Sequence, residues 1–155
     1  MNTAIQRLVS RRDGFVSADG DYTVGISLSR GGADLSSQAV REQLPYITTG
    51  PLRIPSTACT SADEHIELRL NVLTSVAGFA AVELRSDGST GEAAIKGFEL
   101  ENNAPIKGNF ISRAAEWLPH NHRSLDALAG QEVRVHVVLA AAQLYSLEFA
   151  CASAS

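Results

Sequence analysis

Aromatic residues are scarce in this chain: they make up 6% of 155 residues, with a single tryptophan, Trp117. Any stacking platform therefore has few residues to draw on. There are only two cysteines, Cys59 and Cys151, with no metal-like spacing and too few for a disulfide scaffold. The expectation is that both are reduced, a single bridge being the alternative that remains open. No apolar run approaches the roughly 20 residues that a membrane helix needs. The opening MNTAIQRLVSRRDG is interrupted by Gln6 and Arg7 where a signal-peptide core would lie. The chain thus reads as cytoplasmic, or as a piece of something larger. An excess of positive charge is also missing. Net charge is −4 and the pI about 5.5, with Arg7, Arg11 and Arg12 the one basic run. That balance excludes the basic footprint of nucleic-acid binding.

What is present is alternation. Hydrophobic residues make up 45% and mean hydropathy is near zero, as in a globular domain with a sizeable core. In Glu64 to Thr74, Ile66, Leu68, Leu70 and Val72 share one strand face. His65, Glu67, Arg69 and Asn71 share the other, which their polarity predicts to be wet. Val133, Val135, Val137 and Leu139 repeat the pattern, followed by a short turn and a second strand with Leu144, Tyr145, Leu147 and Phe149. Shorter strands are read at Gly14 to Ala18, Tyr22 to Leu28, Tyr46 to Thr49, Leu52 to Ile54, Phe79 to Arg85, Ile95 to Leu100 and Phe110 to Leu118. Turns fall at Ala18 to Asp21 and Ser86-Asp87-Gly88. Leu35 to Leu44 has weak helical spacing and ends at Pro45. A helical turn is expected near Leu125–Leu128.

About nine strands with polar turns predict one all-β domain over residues 1–155, a two-layer antiparallel β-sandwich. A barrel is the alternative that periodicity leaves open. Residues 1–10 read as an arm, 30–45 as an insertion with one short helix, and 150–155 as a frayed tail.

Three stretches carry a resemblance: RRDGFVSA (Arg11 to Ala18), GFELENNAPIKG (Gly97 to Gly108), and SLDALAGQEVRVHVVL…AQLYSLEF (Ser124 to Phe149). In this order they resemble the C-terminal jelly-roll sandwich, of concanavalin-like type, that follows the five-bladed propeller in bacterial proteins related to glycoside hydrolase families 32 and 43. Asn109 stands where that family usually has Asp. Asn102-Asn103 replaces a more acidic pair, and the segment Arg30 to Pro45 has no counterpart. In those enzymes the catalytic carboxylates come from the propeller. The resemblance therefore implies the fold and an accessory role, not hydrolysis.

The residues themselves nominate little chemistry. A glycosidase needs two carboxylates about 5–10 Å apart facing one cleft. Glu64, Glu67, Glu83, Glu99, Glu101 and Glu148 are available, Glu83 and Glu99 as cross-strand neighbours, but no motif singles out a pair. His120 and His122 form an HNH triplet that can face one way on extended chain, yet no third metal ligand is nominated. Asp126 is near, but suits the helical turn. Cys59 has no basic neighbour to activate it. Asp19 and Asp21 are the candidates for a structural calcium, although turn formation accounts for both. No other cofactor is expected.

For sugar binding, Trp117 beside His120, Asn121 and Arg123 is the best platform, with core packing as its plainer role. Tyr22 and Tyr46 flank the insertion and can line a groove with it. The expected function is a non-catalytic accessory or binding module whose partner is a carbohydrate or a protein. The alternative is a scaffold domain that self-associates as a homodimer through an exposed sheet face.

Overall fold

In the computed structural model of this chain the described residues are 18–19, 35, 43–56, 59, 61, 63–86, 93–118 and 124–153. Their strands are β1 (Ala18–Asp19), β2 (Tyr46–Thr48), β3 (Leu52–Arg53), β4 (Glu64–Ser86), β5 (Asn109–Ala114) and β6 (Glu132–Ser153). Every pairing is antiparallel. β4 and β6 pair from Glu64↔Ser153 to Ser86↔Val133, so one long ribbon forms the centre of the molecule. β1, β2 and β3 pair with β6, and β5 pairs with β4. Helical structure among the described residues is limited to 3-10 turns at Leu100–Asn102 and Asp126–Leu128. The fold is all-β.

The inward stripe is the one alternation predicts. Ile66, Leu68, Leu70, Val72, Val133, Val135, Val137 and Leu139 are all buried in one core cluster. That cluster also takes Ala80, Val82 and Leu84 from the far half of β4, and Ala142 and Leu144 from β6. Both halves of the ribbon thus face the same interior. A straight strand cannot do this. Leu68 and Val82 would stand roughly 45 Å apart at ~3.3 Å per residue. Yet the Ala115 amide donates to the Leu68 carbonyl (2.8 Å), and the Trp117 indole donates to the Val82 carbonyl (3.2 Å). Those two donors belong to residues next but one to each other in a single short segment. The ribbon must therefore double back over its own core.

The bend sits where the register breaks. Between Thr74↔Ala142 and Phe79↔Ala140 the residues Ser75, Val76, Ala77 and Gly78 of β4 stand opposite Ala141 alone. This is a large bulge, the device that bends and re-aims strands. Ala141 takes φ +45°, a left-handed conformation uncommon for alanine. Glycine is required at position 78, where a Cβ would meet the carbonyl oxygens of Ala140 and Ala141. A second register shift, between Asn71 and Val72, passes over Tyr145 in the pairing with β4 and moves the inward residues of β6 from Leu144 to Leu147 and Phe149.

The edge of β4 away from β6 is covered residue by residue. The Ile66 amide donates to the Asp126 carboxylate (2.9 Å), and Leu125 donates to the Ile66 carbonyl (2.7 Å). β5 covers Arg69 to Leu73. Beyond the bulge, Ala80 exchanges bonds with Ile106, the Val82 amide donates to Asn103 Oδ1 (2.9 Å), and Leu84 bonds Phe98 and Ile95. An exposed run of strand amides would invite another chain.

Several expectations are corrected. Four of the expected strands are two: Glu64–Thr74 joins Phe79–Arg85 in β4, and Val133–Leu139 joins Leu144–Phe149 in β6. The short turn expected within the last pair is the bulge around Ala141, which bends the strand without ending it. Ile95 to Leu100 is a strap with one isolated bridge beside it, Arg85↔Ala94, rather than a strand. β5 stops at Ala114, and Trp117 is reached only by a bridge to Asn103. Asp19, expected in a turn, is strand and pairs with Gln143, next to Ala18, which was read as the end of a strand and pairs with Leu144. The tail expected to fray from residue 150 is strand as far as Ser153, held by pairing with Glu64 to Glu67. Cys59 and Cys151, expected to be reduced, form a disulfide with Cα atoms 5.5 Å apart. The sequence could not show this, because its ends lie 92 residues apart.

The arm, the two earliest strands, the helix of the insertion, and the Asp87-Gly88 turn lie outside the described residues. The insertion's Leu35 and Leu44 are described and buried, packing with Phe79, Ala81, Leu100, Val138 and Ala140 in a second cluster on the outer face of the ribbon.

Candidate functional site

Trp117, the first choice for a stacking platform, is fully buried. Its ring meets Phe98 edge-on at 5.1 Å and its indole nitrogen is spent on Val82, so it is a core residue. His120, Asn121, Arg123 and Tyr22 lie outside the described residues, as do His122 and Asp21. Asp19 falls in β1. Of the expected binding residues, Tyr46 is the one the structure places at the surface, 66% exposed.

Tyr46 opens β2, and the register fixes what lies beside it. Tyr46 pairs with Val138 and Thr48 with His136. His136 in turn pairs with Glu83, and Arg134 with Arg85. Paired residues point to the same face of a sheet. The outer face of the far half of the ribbon is therefore apolar at one end and polar at the other. The apolar end, around Phe79 and Val138, is covered by the insertion's leucines. The polar end carries Tyr46, Thr48, His136, Glu83, Arg85 and Arg134.

This polar end is internally bonded. Thr48 Oγ1 and His136 Nδ1 are 2.8 Å apart. The Tyr46 ring lies 4.9 Å from the imidazole, tilted by 39°. Glu83 accepts from Arg85 Nε (2.6 Å) and from the Leu100 amide (3.1 Å). Arg134 donates to the Thr49 carbonyl (3.3 Å). His136 and Glu83 are buried and brace the layer above them, while Tyr46, Arg85 and Arg134 reach solvent.

The near half has its own polar row. Glu67, predicted to sit on a wet face, is only 3% exposed. It accepts from Arg69 (3.0 Å) and lies 3.0 Å from His65 Nε2. A carboxylate can be buried when its oxygens are paired in this way. Asn71 on the same face is also buried. Glu83 and Glu67 are thus held by partners, in two separate rows. Glu83 and Glu99 are not a cross-strand pair: Glu99 folds back on the strap, accepting from the Gly97 amide and Asn102 Nδ2 at 2.7 Å each. Burial alone would raise the Glu99 carboxyl, but a bond from its own backbone amide, these two bonds and the nearby Lys96 charge hold it below its ordinary value. Asp126 does not cap its helical turn. It sits inside the turn, with its carboxylate on the Ile66 amide. No group of three metal-ligating side chains forms among the described residues.

No family model, curated protein or solved structure matches this chain.

The Tyr46 site was half legible in sequence. Its aromatic residue was nominated beside the insertion, but its ring partner His136 lies far off in sequence, on β6, and only the pairing of β2 with β6 brings the two together.

Proposed function

We propose that this chain is a non-catalytic binding module, a β-sandwich of jelly-roll type akin to those that accompany glycosidases, which contacts carbohydrate through the face centred on Tyr46. The observation that carries this reading is the exposed Tyr46 ring, seated on a paired strand and braced from below by His136. Sugars are held by an aromatic face against their C–H groups and by polar groups at its margin. Thr48, Arg85 and Arg134 supply that margin. The doubled-back ribbon supports the two-layer reading, and the resemblance of GFELENNAPIKG and the C-terminal motif supports the family type. The satisfied state of Glu67 and Glu83 supports a module without a catalytic acid pair.

Affinity electrophoresis against a panel of plant and bacterial polysaccharides tests this. Retardation by one polysaccharide that is lost in Tyr46→Ala, with an unchanged melting temperature, is the expected result. Retardation unaltered by Tyr46→Ala would refute the platform. Trp117→Ala is no control for binding, since removing a buried Trp costs about 3–5 kcal/mol.

A protein partner is the second reading, and a second copy of this chain its simplest form. Ile111 on β5 is 55% exposed, on the last strand of the sheet path. Light scattering tests it: a monomer at every concentration would remove it.

A further inference from the structure

We propose that the outer edge of β2 pairs with the same edge of a second copy of this chain, about a two-fold axis at Ile47, and that the pairing sets the two Tyr46 rings side by side on one continuous sheet face. The shared face rests on the carbohydrate reading above; the pairing itself does not.

β2 spends one edge on β6. The Pro45 carbonyl accepts from the Leu139 amide (2.9 Å), and the Thr49 amide donates to the Val135 carbonyl (3.0 Å). In an antiparallel ladder the bonded residues alternate, so Ile47 makes the bonds between these two. The N–H and C=O groups of Tyr46 and Thr48 then point away from β6. Among the described residues, β6 is the one strand that pairs with β2. The side chains along this edge are open as well: Tyr46 is 66% and Ile47 39% exposed. They stand on opposite faces, Tyr46 with Val138 and Ile47 with the core residue Val137.

Such an edge is a template for another strand unless a charge, a bulge or a proline blunts it. β5, at the end of the sheet path, is blunted: its register with β4 shifts between Leu70 and Val72, and Arg113 stands exposed on it. The run from Pro45 to Gly50 carries no charge. Pro45 lacks an N–H on the β6 side, so it does not block the open side.

A second β2 fits this edge. With the two strands antiparallel and Ile47 on the axis, Tyr46 exchanges both main-chain bonds with the partner's Thr48, and Thr48 with the partner's Tyr46. Every outward group of the strand is then used, and no other register of β2 on itself does this. Each exposed Ile47 covers its copy, and no charges meet. Tyr46 lies diagonal to the partner's Tyr46 on the outer face, about 7–8 Å away. The partner thus contributes the second ring of the platform, and two rings at that spacing present a longer aromatic surface to a sugar chain than either does alone.

Light scattering on the full chain tests the pairing without any ligand. A mass twice the 16.5 kDa of one chain is expected. Ile47→Lys, which brings two ammonium groups together at the axis, should halve it, and Ile111→Lys should not. Ile47→Cys should form a covalent dimer under mild oxidation, because residues opposite each other at a non-bonded position have Cα atoms about 4.5 Å apart, within disulfide reach. This cross-link decides if Ile47→Lys fails to fold. A monomer at every concentration would overturn the proposal, as would a dimer broken by Ile111→Lys but not by Ile47→Lys. Affinity electrophoresis then separates the two readings. Retention by a polysaccharide should weaken about tenfold or more in Ile47→Lys. Equal retention of wild type and Ile47→Lys would overturn the shared face, whereas a dimer that no polysaccharide retards would sink the sugar platform and leave the pairing standing.

Discussion

At the scale of single residues, the chain spends unusual conformations where the ribbon turns. Ala141 holds φ +45°. An L-residue in that region costs about 1–2 kcal/mol, and glycine would relieve it at an entropic cost of about 0.5–1 kcal/mol. Ala141→Gly is therefore expected to leave stability unchanged or raise it by up to ~1 kcal/mol. Gly78→Ala should do the opposite, because its Cβ would stand 2.6 Å from the Ala140 carbonyl oxygen and nearer still to that of Ala141. A loss of about 3 kcal/mol is expected, in the upper part of the range for overpacking. Urea denaturation of both variants checks the pair, and a Gly78→Ala protein as stable as wild type would mean that the bulge does not pack as described.

Glu99 gives the residue scale its pH dependence. Burial raises its carboxyl, but its own backbone amide, the side chain of Asn102 and the amide of Gly97 outweigh that and hold it below the ordinary value of 4.5. A group whose folded value is depressed contributes stability above the unfolded value, and the contribution fades as pH falls through the folded value. Glu99→Gln is thus expected to be less stable than wild type at neutral pH, with the gap closing as pH drops below about 4.5. Denaturant midpoints for both proteins across that window would show the gap narrowing; a constant gap would assign the effect to packing.

Among the elements, the strap from Ala93 to Leu118 has a definite task. It supplies the partners that the outer edge of β4 lacks beyond β5. Asn103 is its pivot: buried, it takes the Val82 amide on Oδ1 and donates through Nδ2 to the Glu116 carbonyl (3.0 Å). Asn103→Leu keeps the branched shape and strands the Val82 amide, while the Glu116 carbonyl still accepts from the Ala104 amide. The cost of leaving a buried group unpaired is about 1–3 kcal/mol. A fall of about 1–3 kcal/mol in urea is expected, and Asn103→Asp, which retains the acceptor alone, should lie between that variant and wild type. This also explains the motif GFELENNAPIKG in structural terms. Gly97 and Gly108 both take positive φ, Glu99 ties the turn, and Asn103 and Ile106 dock on β4. In this motif those residues belong to the scaffold.

For the whole molecule, the decisive fact is that one core receives side chains from both halves of a ribbon that bends at its middle. The oxidised chain should consequently unfold in one step, with near-half and far-half probes giving the same transition. Leu68→Ala from the near half and Val135→Ala from the far half should each lower stability by about 2–4 kcal/mol without splitting the curve. Two separated transitions in the oxidised wild type would show that the halves do not share an interior. The disulfide adds to this unity. Closing a loop of 92 residues restricts the unfolded chain by about 4–5 kcal/mol on the loop-entropy model.

Local alternation was enough to set the class and the inward stripe of this protein. A strand's period of two is imposed by backbone geometry, so Ile66, Leu68, Val135 and Val137 declared their face without knowledge of their partners. Tertiary structure decided the rest. Whether Glu67 is wet depends on Arg69 and His65 closing over it within a packed sheet. Whether Trp117 stacks on a ligand or on Phe98 depends on a ribbon that folds back to receive it. Two strands separated by a bulge read as ending and restarting, because a bulge interrupts the pattern in one chain while the pairing across it continues. Cysteines far apart in sequence carry no signal of their meeting, since only the register of β4 with β6 brings Cys151 beside the connection that holds Cys59.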